Sequence, residues 1–218
     1  MEYDLEIVMP VSSKYNCRLD DFKKYGLINV GDKKVFINLV LSGETLEDLE
    51  TGWPKNVHAK AFVYKQKNYV ANMYRHFLNM EQPNAKWIMK IDDDSCTDVG
   101  GLLANLGKYY DSEEKYYLAA TCVRFTDGPE VDLMSFYEEF FDVGAAQMFG
   151  HEVECSLMSH GVLKKILSTR ISREFLEKRS QQDGGVTDCG LSFASILCKI
   201  HPVDFPFATH LPLLGGFS

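Results

Sequence analysis

The chain has 218 residues, 45% hydrophobic and 25% charged, with 14 Phe, 11 Tyr and 2 Trp. That is enough apolar material for one large core and excludes intrinsic disorder, while two independent folds would be cramped. The 31 acidic and 23 basic residues leave a formal charge of −8 and a pI near 5.3, against a nucleic-acid binder with a broad basic face.

Glu6–Val11 is a short apolar run closed by Ser12-Ser13, the pattern of a buried first strand ending in a polar loop. Val35–Leu41 and Val57–Tyr64, rich in β-branched and aromatic residues, predict a second and a third strand. Between Asn68 and Met80 the spacing of Val70, Met73, Tyr74, Phe77 and Leu78 predicts a helix with one buried face. Lys86–Ile91 predicts a strand that runs straight into Asp92-Asp93-Asp94. A helix carrying Val99, Leu102, Leu103 and Leu106 follows, and then a strand over 116–123. Residues 126–150 read as an irregular connecting segment around Phe136-Tyr137 and Phe140-Phe141. Cys155–Leu167 reads as a strand passing into a helix, Asp188–Cys198 as another helix, and Pro202–Leu214 as an extended tail.

Alternating strands and helices predict a single α/β/α sandwich around a mixed, mainly parallel sheet, with the ligand crevice at the carboxyl ends of the strands. One domain over 1–218 is expected. The Gly-rich ending is the kind that leads into a longer polypeptide. The six cysteines, Cys17, Cys96, Cys122, Cys155, Cys189 and Cys198, are spread singly and read as free thiols. The N-terminus shows no secretory signal, and no run approaches the ~18 apolar residues of a membrane span. A cytoplasmic location is therefore expected.

Three consecutive carboxylates after a strand repel one another, and a divalent cation is their natural partner. Residue alternation lets Asp92 and Asp94 share one face while Asp93 points away, so they form a two-point grip on a metal that also holds a diphosphate. The alternative is a solvated acidic turn before the next helix, with Ser95, Thr97 or Asp98 as the N-cap. No glycine-rich phosphate loop of either common kind is present.

Lys86-Trp87-Ile88-Met89-Lys90-Ile91-Asp92-Asp93-Asp94 resembles the lysine-tryptophan and triple-aspartate segment of fringe-like glycosyltransferases with the GT-A fold. Val11–Leu19 resembles their first-strand loop, Thr187–Leu191 the segment that carries their catalytic base, and Phe207–Leu211 the one that supplies a metal-binding His. The resemblance implies a transferase that moves a sugar from a UDP-sugar to a hydroxyl of a glycan or glycoprotein, with residues 1–125 as the nucleotide-sugar-binding half and 126–218 as the acceptor-side half. Mn²⁺ or Mg²⁺ would be held by Asp94, Asp92 and His210, the nucleotide by Pro10, Val11, Ser12, Arg18, Asp92 and Asp93, and Asp188 would be the base. Without a secretory signal, the better comparison is the glycosyltransferase domain of large algal (chlorella) viruses, which implies the host cytoplasm and a viral capsid glycan as acceptor. A sugar-1-phosphate nucleotidyltransferase and a non-catalytic carbohydrate-binding module are the other classes these residues admit.

Overall fold

The computed structural model describes residues 1–11, 16–43, 48–65, 68–80, 84–93, 95–124, 148–181, 190–205 and 210–212. Among them, 16, 17, 95, 96, 120–124, 148–154, 204 and 210–212 are described by their backbone. Four strands come first: β1 (Tyr3–Val11), β2 (Val35–Ser42), β3 (Val57–Tyr64) and β4 (Ala85–Ile91). They lie side by side in the order β3-β2-β1-β4, all parallel. The far half of the sheet is built from β7 (Met148–Ser159), β6 (Tyr117–Arg124) and β8 (Pro202–Asp204). Strand β7 runs antiparallel to both β4 and β6, and β8 is parallel to β6, so the sheet is mixed and mainly parallel as expected.

Residue alternation sends successive side chains to opposite faces, and each face carries its own core. On one face Leu5, Ile7, Met9, Val11, Trp87, Met89 and Ile91 pack with Leu19 of α1 (Asn16–Asp21), Phe22 of the π-helical turn Phe22–Gly26, and Val99, Leu102 and Leu106 of α3 (Val99–Tyr109). The other face sets Val8, Val40, Ile88 and Met158 against α2 (Tyr69–Asn79), α4 (His160–Ser168), α5 (Arg170–Arg179) and α6 (Gly190–Leu197). Helices on both sides of the sheet complete the α/β/α sandwich. No helix among the described residues is long and apolar enough to cross a membrane.

Most predicted elements stand within one or two residues of their expected ends, and several features differ. Helix α5 was not expected. Residues 148–150, read as part of the connecting segment, open β7, and the rest of that segment with its aromatic stretch lies outside the described residues. The tail contributes two separate short strands, β8 and β9 (His210–Pro212). Neither Cys155, which is buried, nor Cys198, which is half-buried, is in a disulfide, as expected.

One buried titratable group on α2 gives a pH signature. The His76 ring lies 4.5 Å from Phe62, with Tyr64 Oη 3.0 Å from its Nδ1, and its buried Nε2 has no partner among the described residues. Burial pushes its pKa from 6.5 down to about 4. Above pH 6.5 folded and unfolded chains both carry a neutral ring. As the pH falls from 6.5 to 4 only the unfolded chain takes up the proton, so about 3 kcal/mol of stability is lost across that window and no more below it. Urea unfolding from pH 7.5 to 4 should show this loss in the wild type, and the same series in His76→Gln should lack it.

Candidate active site

Strands β1 to β3 build outward in one direction, and the chain then crosses back to lay β4 on the other side of β1. The carboxyl ends of β1 and β4 therefore flank the topological switch point, where open α/β sheets bind ligands. The pairing opens the crevice there. Strand β1 stays in register with β2 through Val11↔Leu41, whereas its register with β4 stops at Val8↔Lys90. Pro10 has no N–H to extend a ladder. Pro10 and Val11 are buried at the crevice floor, and Ser12 and Ser13 lie outside the described residues.

From the β1 side Arg18 reaches across. It stands on the short helix α1 rather than in an open loop, and its Nη1 is 3.5 Å from Asp93 Oδ1. Asp93 thus points to the α1 face of the sheet, and Asp92, on Lys90, to the other, in keeping with residue alternation. The side chains of Arg18 and Asp93 are 28% and 10% exposed, so the pair contributes about 1 kcal/mol or less to stability. Arg18→Met should accordingly move the melting temperature by only a few degrees, which a thermal melt checks.

Asp92 is held from below. Lys90 Nζ lies 2.8 Å from Asp92 Oδ2, and the lysine side chain is fully buried. Sequence reasoning missed this residue's part, although a lysine inside the otherwise apolar run Trp87–Ile91 was the available signal. Two of the three carboxylates thus face cations of the chain's own. Asp94 lies outside the described residues.

The peptide after Asp94 is fixed by a distant part of the chain. Strand β5 (Ser95–Thr97) pairs antiparallel with β9, with Ser95↔Pro212, Cys96↔Leu211 and Thr97↔His210 in register. The His210 backbone is therefore brought alongside the segment that leaves the acidic triplet. Among the three N-cap candidates Asp98 fills the role, its Oδ1 accepting from Gly101 N at 3.1 Å, while Asn29 Nδ2 donates to its Oδ2 at 3.1 Å. Two glycines allow the segments after β1 and after β4 to touch. A Cβ on Gly100 would lie 1.9 Å from the Asn29 carbonyl oxygen, and one on Gly26 would lie 2.9 Å from the Phe22 ring and 3.3 Å from the Thr97 carbonyl oxygen.

Asp188 lies outside the described residues, but the chain resumes two residues later at Gly190. Tyr74 Oη accepts from Gly190 N at 2.9 Å, and the fully buried Arg179 sets its guanidinium 5.7 Å from the Tyr74 ring centre. This support from α2 and α5 was not legible while α5 itself was missed.

Carboxylate oxygens such as those of Asp92 and Asp93 at the end of β4 are of the kind that Mn²⁺ or Mg²⁺ accepts. Among the described residues no three His, Cys, Asp or Glu side chains gather to hold a metal. Thr97 Oγ1, buried between β5 and its surroundings, has no partner among the described residues.

No protein-family model and no curated protein sequence matches the chain. Solved structures do. The galactosyltransferase LgtC in complex with donor and acceptor sugar analogs superimposes with a TM-score of 0.55 at 12% identity, over 90% of this chain and 72% of that one. An active-site mutant of LgtC gives 0.54 at 11% identity with the same coverage. The fold is of this GT-A type.

Proposed function

We propose that the chain is a metal-dependent glycosyltransferase of the fringe-like kind, which moves a sugar from a UDP-sugar to a hydroxyl of a glycan or glycoprotein acceptor. One juxtaposition supports it: Arg18 from the β1 side meets the acidic triplet at the switch-point crevice, where the β9 strand bearing His210 also arrives. The LgtC structure in complex with donor and acceptor sugar analogs is of a protein with the same fold.

In this reading Asp94 and His210, with Asp92 beside them, hold Mn²⁺ or Mg²⁺. When bound, the metal neutralises the diphosphate as it leaves. Pro10, Val11 and Ser12 line the nucleotide, and Arg18 shares its guanidinium between Asp93 and the diphosphate. For an inverting reaction Asp188 removes the acceptor hydroxyl proton, worth roughly 10²- to 10⁴-fold as a positioned base. The test is a calorimetric titration of UDP with and without Mn²⁺, followed by a screen of UDP-sugar hydrolysis. Mutual tightening of UDP and Mn²⁺ with release of one sugar supports the transferase. Turnover of UTP with a sugar phosphate replaces it with a nucleotidyltransferase, and absence of nucleotide binding replaces it with a carbohydrate-binding module.

A further inference from the structure

Lys90 is the one charged residue on β4 that is fully buried; its neighbour Lys86 is exposed at the other end of the strand and pairs with Asp4. Val8 of β1 and Ser156 of β7 flank Lys90 in the sheet. An ammonium in such a place is costly to desolvate, and an ion pair there stabilises a fold no better than well-packed apolar side chains. A leucine or methionine would serve this core position as well. What Lys90 adds is a positive charge 2.8 Å from Asp92, directly beneath the mouth of the crevice. Arg18 adds another 3.5 Å from Asp93.

We propose that Lys90 is a positioning residue which, through its ion pair with Asp92, keeps the acidic triplet from capturing a bare divalent cation, so that the metal enters together with the diphosphate. This rests on the transferase reading above. Three uncompensated carboxylates would bind a divalent ion whether or not a nucleotide is present. With Asp92 and Asp93 each matched by a cation of the chain, the attraction for a lone metal drops, and the negative diphosphate supplies what is missing. The ion pair also fixes the direction of the Asp92 carboxylate.

The probe is Mn²⁺ alone, read by water-proton relaxation, and then Mn²⁺ with UDP present. Lys90→Gln keeps a hydrogen-bond donor for Asp92 but removes the charge, and should tighten Mn²⁺ alone by tenfold or more. The factor by which UDP tightens Mn²⁺ should shrink accordingly. A folded Lys90→Gln that binds Mn²⁺ alone within threefold of the wild type overturns the proposal. Should that variant not fold, the neutral pair Lys90→Met with Asp92→Asn is compared with Asp92→Asn alone. The double variant should bind Mn²⁺ at least tenfold tighter than the single one, because the single one keeps the Lys90 charge beside the remaining carboxylates. Equal affinities overturn the proposal, since a lysine with only a structural part leaves metal affinity unmoved. Failure of the transferase reading looks different: UDP and Mn²⁺ then fail to tighten each other in the wild type, whereas the effect of Lys90 is read without nucleotide.

Discussion

Asp94→Asn is expected to lower kcat/KM by about a thousandfold, because a metal at a leaving diphosphate supplies several kcal/mol and each 1.36 kcal/mol is a factor of ten. Thermal stability should change by less than about 1 kcal/mol, since one of three adjacent like charges is removed. Asp93→Asn gives the contrast. It weakens the hold on Arg18 at 3.5 Å, a partly exposed pair, so the expected loss is tenfold or less. Steady-state kinetics with excess Mn²⁺, paired with a thermal melt of each variant, checks both. Wild-type kcat/KM in a folded Asp94→Asn protein removes that residue from the metal site.

Gly100→Ala should produce the largest loss of stability of the Gly→Ala changes at the described residues. Its new carbon would sit 1.9 Å from a backbone oxygen of Asn29, and neither α3 nor the 27–30 segment can yield by a side-chain rotation. Overpacking of this kind costs about 3 kcal/mol, against a gain of about 1 kcal/mol in helix propensity. The melting temperature should fall by roughly 4–8 °C. Gly107, on the same helix with nothing within 4 Å of an added Cβ, is the control. Gly107→Ala should stabilise by up to about 1 kcal/mol. Because α3 begins directly after β5, the Gly100 variant should also bind UDP with Mn²⁺ more weakly at temperatures where it remains folded.

The first half of the fold was legible because β1 to β4 are dense in β-branched and apolar residues, and because α2 and α3 carry their apolar residues at helical spacing. Helix α5 was hidden by composition: Ile171, Phe175 and Leu176 stand among arginines, lysine and glutamates, and only Thr169 separates it from α4. Strand β5 has three residues and no pattern of its own, and it exists through a partner at residues 210–212. For the site, the acidic triplet and its place at a strand end could be read from sequence. The partners of Asp92 and Asp93 could not, because Lys90 looked like a strand residue and Arg18 like a loop decoration. Ion pairs across strand ends depend on where the backbone turns, which local spacing does not encode.

The pairing of Thr97 with His210 also has a consequence for the order of events on the ribosome. Strands β1 to β4 have all their parallel neighbours within the first ninety-one residues and can dock early. Strand β5 cannot find its partner until His210–Pro212 has been synthesised and has left the exit tunnel. At 5–20 residues per second that delay is on the order of ten seconds. For that interval the nascent chain holds an acidic peptide whose neighbouring edge is unpaired, and closing so long a loop is a slow, late step. Assembly of the acidic side of the crevice is thereby deferred until the sheet around it is already in place.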